Sequence, residues 1–500
     1  MSRINTNVSS ILGQRVLGQN NASLGVSLER LSTGLRISRG KDDPAGLIAS
    51  ENLRAEKSAL TAAIANAERA DQVVNIAEGG LQEVSSLLTE LQGLLTSSAN
   101  TAGLSASEKE ANQLQIDSIL QTIDRVAGAT NFQGSKLLNG NLDYQVNNVA
   151  AAVTDYAVRG AKFEGEKQDV SAIITQSAQQ AGLLMSFGAA SIDLSAGGQF
   201  VIEVGGVLGN RELQFSSGNS LDSIAAAING VNDVTGVTAT VDGTSIKLTS
   251  DGFGSSEFVT LKVTDAGGIA GGDGIYALSA TDFNAVDTGS VTTFAGANNG
   301  IRDIGQDVAG TINGMLAVGR GKQMSVNSDF LDVAFTLTTS AAQDLDAITA
   351  FSITGGGADF QLSSQVNLGG KVSIGIGDIS TRKLGSSELG FLSDLASGRS
   401  FNIVNGGDLN EAQKIVAKAI EDVSSTRGRL GAFQKNVVGA TIRSLNVAFE
   451  NTTAAESVIR DADFASETAA LTRNQILVQA STNVLAMANQ SPQNVLALLG

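Results

Sequence analysis

Apolar residues recur at every seventh position over a long stretch near the start of the chain, and this repeat constrains the fold more than any other feature. The repeat consists of Leu53, Leu60, Ala67, Val74, Leu81, Leu88 and Leu95, with Ala63, Ala70, Ala77, Val84 and Leu91 three residues after its members. A stripe with this period indicates an α-helix that packs along other helices. Because such a helix cannot bury its own stripe, other parts of the chain must cover it.

A matching stripe occurs near the other end of the chain. It consists of Val416, Val423, Leu430 and Val437, followed by Ile442, Leu445 and Phe449. A shorter stripe of Ile116, Ile119, Ile123 and Val126 follows Ser105 and Glu108, which have the spacing of a capping box. We therefore predict that the two chain ends form one coiled-coil core, with its contacts at Leu53, Leu60, Val74, Leu81, Leu88, Leu95, Val416, Val423, Leu430 and Val437.

Two further amphipathic segments lie at the extreme ends. Residues 4–35 carry Val8, Leu12, Leu17, Leu24, Leu28, Leu31 and Leu35, and residues 468–490 carry Leu471, Leu477, Val478, Val484 and Leu485. Both segments are also rich in Asn, Gln, Ser and Thr. A lone pair of such helices buries little apolar area, so we expect these ends to be ordered only when copies of the chain assemble.

The stretch LSTGLRISRGKDDPAGLIASENLRA, residues 31–55, interrupts the helical pattern with three glycines and a proline. Arg36, Arg39 and Lys41 have the charge that complements the carbonyl end of a preceding helix. Either Asp42 or Asp43 has the chemistry to cap the next helix, with Pro44 in its first turn. We predict a joint here that separates the first helix from the coiled coil.

The centre of the chain has a different pattern. From about residue 190 to about residue 400, short alternating runs such as FVIEV, SIKLTS, FVTLKV and KVSIGIG are separated by Gly, Asp, Asn and Ser, which indicates strands and turns. The predicted fold class is therefore α+β and multi-domain, with a helical coiled-coil core from both chain ends and a mostly β, glycine-rich central region.

Composition excludes several classes of function. The 500-residue chain has no cysteine and no histidine, which excludes the common zinc sites and the Ser/His/Asp and Cys/His nucleophile systems. Its net charge of −17 disfavours nucleic acid as a partner. No run of 18 apolar residues and no signal peptide are present, so we expect no membrane insertion. We predict no metal and no cofactor, since the Asp461 and Asp463 pair is typical of a helix start.

Two terminal motifs resemble a known family. The stretch from Leu31 to Arg54, together with IRDADFASETAALTRNQILVQASTNVLAMANQSPQNVLALL at 459–499, is similar to the two ends of bacterial flagellin, the flagellar filament subunit. ATNFQGSKLLNG at 129–140 matches the β-hairpin of that family. Residues 218–250 resemble a short repeat of flagellins and hook proteins, and residues 351–385 resemble another flagellin segment.

The resemblance implies a division into three parts. Residues 1–43 with 454–500 would form a discontinuous inner-core domain of terminal helices, and residues 44–185 with 401–453 a discontinuous coiled-coil outer-core domain with the β-hairpin. Residues 186–400 would form a variable, surface-exposed β-rich region of one or two domains. The expected polymerisation contacts are Leu24, Leu28, Leu31, Leu35, Leu471, Val478 and Leu485.

The resemblance also implies a function, which is self-assembly into the helical flagellar filament for swimming motility. Subunits would be exported unfolded through the flagellar type III apparatus to the extracellular filament, and the terminal helices would order on polymerisation. The expected partners are further copies of the chain, an export chaperone at the C-terminal helix, and hook-associated and cap proteins. No enzymatic activity is expected.

One difference from the family concerns the vertebrate Toll-like receptor for flagellin. Flagellins that this receptor senses have an Arg and a Glu on the first long helix, where this chain has Glu90 and Gly93. The reversed charge and the missing charge predict weak or absent recognition.

Two other functions remain as alternatives. A hook–filament junction protein has similar terminal helices, although the ANQSPQNVLALL ending favours the filament subunit. Less favoured is a flagellin with a glycan-binding or enzymatic outer domain, for which no segment supplies a carboxylate pair.

Overall fold

A computed structural model describes residues 6–100, 103–163, 165–194, 198–269, 274–279, 285–404 and 406–496. The chain forms two compact units, each of which is discontinuous in sequence. The terminal unit comprises Met1–Asp71, Gln361–Gly370 and Ala432–Gly500, and the central unit comprises Gln72–Phe360 and Lys371–Gly431. The three-part domain division inferred from the sequence remains a prediction.

Long helices occupy both ends of the chain, as the sevenfold stripes predict. The α-helices of the described residues are α1 (Val8–Thr33), α2 (Pro44–Ser98), α3 (Ala106–Ala129), α4 (Leu221–Asn229), α5 (Asn232–Thr235), α6 (Thr339–Gln343), α7 (Leu409–Ala432), α8 (Gly439–Arg460) and α9 (Phe464–Leu496). At the start of α3, Ser105 and Glu108 form the predicted capping box, in which each side chain accepts a hydrogen bond from the backbone N–H of the other residue.

In the central unit, the stripes of α2, α3 and α7 are buried. The buried positions include Val74, Leu81, Leu88 and Leu95 on α2, Ile116, Ile119 and Ile123 on α3, and Val416, Val423 and Leu430 on α7. Polar contacts join the same helices: Arg427 forms an ion pair with Glu78 at 2.8 Å, and the Asn112 amide donates to Ser98 Oγ at 3.0 Å. In the terminal unit, Leu60 is buried and Leu53 is half-buried.

One coiled-coil position differs from the sevenfold spacing. The spacing predicts that Val437 is a core residue, but Val437 is half-buried and Val438 is fully buried. The cause is a π-helical turn at Phe433–Val438, between α7 and α8. A π turn adds one residue to the helical turn, so the buried stripe moves by one position.

The centre of the chain is built from short antiparallel strands. In chain order these are β1 (Asn131–Phe132), β2 (Ser135–Lys136), β3 (Tyr144–Asn147), β4 (Val153–Ala161), β5 (Gln168–Gln176), β6 (Gly182–Ser186), β7 (Gln199–Gly205), β8 (Asn210–Ser216), β9 (Val237–Asp242), β10 (Ser245–Ser250), β11 (Phe258–Asp265), β12 (Gly274–Leu278), β13 (Val286–Thr292), β14 (Ile301–Ile304), β15 (Ala309–Ile312), β16 (Met315–Leu316), β17 (Val318–Arg320), β18 (Gln323–Asn327), β19 (Leu331–Leu337), β20 (Ala347–Gly356), β21 (Ala358–Gln361), β22 (Lys371–Ile374), β23 (Gly385–Ser386) and β24 (Gly390–Phe391). Strands β1 and β2 form the hairpin expected at 129–140.

Eighteen of these strands form two β-sandwiches in the central unit, and the other six form three two-stranded sheets. In the first sandwich, a sheet of order β16-β15-β5-β20-β3 and a sheet of order β17-β18-β19-β4 contribute to one apolar core that includes Phe335 and Phe351. The second sandwich is inserted in the chain between β5 and β15. Its sheets have the orders β13-β12-β6-β10-β9 and β14-β11-β7-β8, and their core includes Phe187, Phe200 and helix α4.

The sequence patterns account for these strands. The run SIKLTS coincides with β10, FVIEV lies inside β7 and FVTLKV lies inside β11. Along β10 the odd positions are half-buried and the even positions are buried, as alternation against a core requires. The predicted α+β class, with helical chain ends and a β-rich centre, is therefore confirmed.

A cleft of about 410 Å³ in the central unit is lined by charged side chains that include Asp143, Arg159, Asp422 and Arg429. Burial raises the pKa of Asp143 and of Asp422, and nearby cations oppose the effect without cancelling it. The folded chain therefore holds a proton on these carboxyl groups more tightly than the unfolded chain does. Their contribution to the free energy of unfolding falls as the pH rises through the raised pKa.

We predict that Asp143→Asn raises the melting temperature of the central unit by a few degrees at pH 7. The substitution removes the cost of a buried charge, and its Oδ1 atom still accepts the hydrogen bond that Tyr144 N–H donates at 2.8 Å. The difference should shrink as the pH is lowered toward the ordinary aspartate pKa, because the wild-type carboxyl is then protonated as well. Calorimetry from pH 4 to pH 8 measures this, with the exposed Asp242→Asn as control. A stabilisation independent of pH would contradict the prediction.

Candidate assembly interface

In the terminal unit, α1 and α9 lie side by side and run in opposite directions. Near the start of α1, the Asn7 side chain donates to the carbonyl oxygen of Ala488 at 2.8 Å. Near the end of α1, Arg30 approaches Glu467 at 3.7 Å. The helices near the two ends of the chain, α1 and α9, therefore form one antiparallel pair.

Polar and apolar residues alternate along the contact between these helices. On α1 the residues facing α9 include Ser10, Gly13, Asn20 and Ser27, and on α9 they include Asn474, Ser481, Leu485 and Asn489. Gly13 fits because an added Cβ atom would lie 3.2 Å from Leu485 Cδ1. The contact is therefore more polar than the buried stripes of α2 and α7.

The structure separates the seven predicted polymerisation contacts into three groups. Leu24, Leu31, Leu471, Val478 and Leu485 are half-buried and lie three or four residues from the polar contacts, so they share the face on which α1 meets α9. Leu35 is half-buried in the joint, where it forms a β-bridge with Asp461. Leu28 alone among the seven is exposed, at 49%.

A second set of apolar residues on α1 and α9 is exposed, and we call it the outward face. It consists of Val8 (61% exposed), Ile11 (59%), Leu12 (50%), Val16 (38%) and Leu28 on α1, and of Ile476 (62%), Leu477 (41%), Val484 (52%) and Met487 (63%) on α9. Sequence reasoning did not single out Ile11, Val16, Ile476 or Met487. The sequence signal for such residues is a second apolar stripe at helical spacing next to the predicted one, as from Val8 to Val16 on α1.

The joint after α1 is connected by backbone hydrogen bonds to the joint before α9. Arg36 N–H donates to the carbonyl of Arg460 at 2.7 Å, and Ala462 N–H donates to the carbonyl of Gly34 at 2.9 Å. Gly34 ends α1 with a φ of 72°, in the left-handed region that glycine adopts most readily. The Arg36 guanidinium donates to Ile459 O at 2.6 Å, so it binds the end of α8 rather than the end of α1 that the sequence suggested.

Both aspartates of the joint bind backbone N–H groups. Asp43 Oδ1 accepts from Gly46 N–H at 2.9 Å and so caps α2, which begins at Pro44. Asp42 Oδ2 accepts from Arg39 N–H at 2.9 Å and from Ser38 N–H at 3.3 Å. The Arg39 N–H, helped by that of Ser38, lowers the pKa of Asp42. The two acids thus have different roles, which the sequence left open.

Ion pairs join the first part of α2 to α8 within the terminal unit. Glu456 accepts from Lys57 at 2.5 Å and lies 3.7 Å from Arg54. Glu51 pairs with Arg460 at 2.9 Å and with Arg54 at 3.0 Å. The hydrogen bond from Arg54, followed by that from Arg460, lowers the pKa of Glu51.

Two further sequence positions of interest lie on α2 in the central unit. Glu90 and Gly93 are both exposed, and a Cβ atom added at Gly93 would have no neighbour within 4 Å. Within the described residues, no helix combines the length and the apolar character that crossing a membrane requires.

Comparison with known proteins identifies the same two ends. The model of the bacterial flagellin N-terminal helical region matches residues 4–143, that of the C-terminal helical region matches residues 413–499, and that of the flagellin hook IN motif matches residues 199–252. The chain is 30% identical to the B-type flagellin of Pseudomonas aeruginosa over 537 residues, with 99% of both chains covered. It is 29% identical to the flagellin of Salmonella rubislaw over 520 residues, again with 99% of both chains covered. Among solved structures, hook-associated protein-3 of Legionella pneumophila has 10% identity and a TM-score of 0.29, over 81% of this chain and 97% of that one.

Paired helical ends around a β-rich centre define a structural protein whose two chain termini form a single helical unit. The chain belongs to the bacterial flagellin family, since relatives at 30% identity match it over its whole length. It is therefore a structural subunit of the flagellar filament. The solved structures match with low TM-scores, so the assignment depends on the sequence relatives.

We predict that Asp43→Ala weakens the start of α2, whereas Asp43→Asn does not. Loss of a helix cap costs about 1 kcal/mol, and asparagine caps as well as aspartate. Amide hydrogen exchange at Gly46 should become about fivefold faster in the alanine variant. Equal exchange rates in the alanine and asparagine variants would show that the cap does not stabilise this turn.

Proposed function

We propose that this flagellin polymerises through the outward face of α1 and α9, which contacts the terminal helices of neighbouring copies. The observation that carries the proposal is the exposure of the nine large apolar side chains that make up the outward face, with Met487 at 63% and Ile476 at 62%. Apolar patches of this kind mark contact surfaces in soluble proteins. Burial of one such side chain contributes roughly 1.5–3 kcal/mol, which favours assembly.

The terminal helices fold when the subunit joins the filament. Their mutual contact contains Ser10, Asn20, Ser27 and Asn474, so it buries less apolar area than the contacts of α2 with α3 and α7. Such a pair gains little from pairing alone and must offset the conformational entropy of ordering two long helices. Burial of the outward face against other copies supplies the missing stabilisation.

The subunit reaches the filament by unfolded export through the flagellar type III apparatus and acts outside the cell. A chain with no cysteine and two prolines refolds without disulfide formation and with few slow X-Pro isomerisations. Before export, a chaperone covers α9, because Ile476, Leu477 and Val484 would otherwise promote premature association.

The subunit acts without catalysis, as a member of a structural family. The hook-associated and cap proteins contact it at the two ends of the filament through the same terminal helices. Five of the predicted polymerisation contacts stabilise the subunit's own helix pair and do not touch neighbouring copies. They are Leu24, Leu31, Leu471, Val478 and Leu485. They hold α1 against α9, and the outward face makes the contacts between copies.

We predict that Ile476→Asn raises the critical concentration for filament growth about tenfold to a hundredfold, because it removes one buried apolar contact per subunit. Growth from short filament seeds, measured by sedimentation and electron microscopy, tests this. The matched control is Leu316→Asn, which changes a residue that is 82% exposed on β16 and should leave growth unchanged. Equal growth of both variants would exclude Ile476 from the subunit contact, and absence of growth by the wild-type chain would contradict the filament function.

The receptor prediction rests on two exposed positions of α2. Restoring the family charges with Glu90→Arg and Gly93→Glu should raise activation of the flagellin-sensing Toll-like receptor about tenfold, since close charge pairs at interfaces couple by at least that much. Glu90 is exposed, and a Cβ atom added at Gly93 would have no neighbour within 4 Å. The control changes the same residue types earlier along the helix, with Glu83→Arg one repeat before Glu90 and Gly79→Glu two repeats before Gly93. Strong signalling by the wild-type monomer would contradict the prediction.

A further inference from the structure

The second sandwich is attached to the first by two linkers. Residues 177–181 connect β5 to β6, and residues 305–308 connect β14 to β15. The linkers pair with each other at Gln179 and Gln306, where each backbone N–H donates to the carbonyl of the other residue, at 2.8 and 2.9 Å. A lone two-stranded ribbon has little rigidity and twists readily, so the linkers keep the sandwiches close without fixing their orientation.

The surfaces that meet beside the linkers are polar. The described residues of the two apolar cores form separate clusters. A cleft of about 260 Å³ lies next to the linkers, and its lining includes Gln176, Gln180, Ser279 and Asp303. Domains that meet through a small polar interface move relative to each other by default, whereas a large apolar interface would hold them. Specific contacts are therefore needed to fix the orientation of the second sandwich.

One loop of the second sandwich reaches the first sandwich. The β10–β11 loop, residues 251–257, places Phe253 against the apolar core of the first sandwich. Lys322, in the turn between β17 and β18, lies over this ring with its Nζ atom 5.3 Å from the centroid, where a cation is attracted to an aromatic face. The backbone N–H of Gly254 also donates to the carbonyl of Gln179 at 3.1 Å. The loop is thus a third connection beside the two linkers.

Asp307, in the second linker, connects this loop to the first sandwich. Its carboxylate accepts hydrogen bonds from Gly321 N–H at 2.7 Å, from Ser255 N–H at 3.1 Å and from the Ser255 hydroxyl. Ser255 belongs to the β10–β11 loop, and Gly321 belongs to the β17–β18 turn of the first sandwich. Burial raises the pKa of Asp307, but the hydrogen bonds from Ser255 and Gly321 outweigh this effect and lower it. The carboxylate is therefore held in its charged form, in which it accepts stronger hydrogen bonds than a neutral group.

Two glycines allow the backbones of the loop and the turn to touch. A Cβ atom added at Gly254 would overlap Asp307 Oδ1 and lie 2.7 Å from Gly321 Cα. A Cβ atom added at Gly321 would lie 2.7 Å from the carbonyl oxygen of Phe253. Gly254 has a φ of 108° and Gly321 has a φ of 57°, in the region that glycine adopts most readily. The loop and the turn therefore fit together only because neither position carries a side chain.

We propose that the β10–β11 loop is a latch that holds the second sandwich in one orientation on the first, with Phe253 as its anchor and Asp307 as its positioning residue. The latch makes the two sandwiches move as one body. It concerns the β-rich centre and does not depend on the contacts proposed for α1 and α9. Copies in a helical filament occupy equivalent positions, so a single orientation places every second sandwich in the same way.

The test measures the orientation in the unassembled full chain. The chain has no cysteine, so spin labels attach only at introduced cysteines. Thr349→Cys on β20 and Glu212→Cys on β8 change exposed strand positions, one in each sandwich. Double electron–electron resonance should give one narrow distance when the latch is unchanged. Phe253→Ala with Asp307→Ala should lose this distance and give a broad distribution, because the anchor and the hydrogen bonds of the carboxylate are removed.

Two further measurements separate orientation from folding. Asp307→Asn keeps an Oδ1 acceptor for Gly321 and Ser255 and should keep the narrow distance, whereas Asp307→Ala alone should broaden it. Amide hydrogen exchange in β10 and β19, inner strands of the two sandwiches, should be the same in all variants, which shows that both sandwiches remain folded.

Three results would overturn the latch. They are a broad distribution when the latch is unchanged, a narrow distance in the double variant, and equal distributions in the asparagine and alanine variants of Asp307. If the double variant loses exchange protection in β10, the comparison of Asp307→Asn with Asp307→Ala decides, because neither substitution changes an apolar core.

Discussion

The need to cover long apolar stripes underlies the whole architecture. A long amphipathic helix cannot bury its own apolar stripe, so the N-terminal and C-terminal segments must meet. In the central unit this requirement joins α2, α3 and α7, where Val74, Leu88 and Val423 are fully buried. In the terminal unit it joins α1 and α9, whose contact is weaker because amides and hydroxyls replace apolar groups. The same constraint therefore produces a stable core in the central unit. In the terminal unit it produces, in our proposal, a helix pair that is stabilised by neighbouring copies of the chain.

The joint between α1 and α2 makes this difference possible. In a continuous helix from Val8 to Ser98, the apolar stripes of α1 and α2 would lie along one helix axis. Gly34 ends α1, and Asp43 with Pro44 begins α2 afresh. The backbone bonds from Arg36 and Ala462 then tie this break to the break between α8 and α9. Both chain ends thus change direction together, and the ion pairs of Glu51 and Glu456 hold the first part of α2 to α8.

The β-rich centre is stabilised by apolar cores of its own. Both β-sandwiches are antiparallel, have their own apolar cores, and lie in the chain between helices that belong to the coiled coil. Because each sandwich has its own core, to which α4 also contributes in the second sandwich, its loops and exposed strands tolerate change without affecting the helices of the coiled coil. This independence is consistent with a filament protein that is 29–30% identical to its relatives over the full length.

The sequence by itself determined the period of each element. Sevenfold spacing specifies helices, alternation specifies strands such as β10, and the Asp–Asp–Pro run specifies a helix start, because each of these signals is local. Tertiary structure decided which of two similar faces is covered. Leu24 and Leu28 are equivalent in sequence, yet Leu24 is half-buried and Leu28 is 49% exposed, since only the position of α9 distinguishes them. The π turn before α8 likewise exchanges Val437 for Val438 in the core, and no local pattern indicates it. The position of α1 against α9 depends on residues more than 400 positions apart, so it exists only in the folded chain.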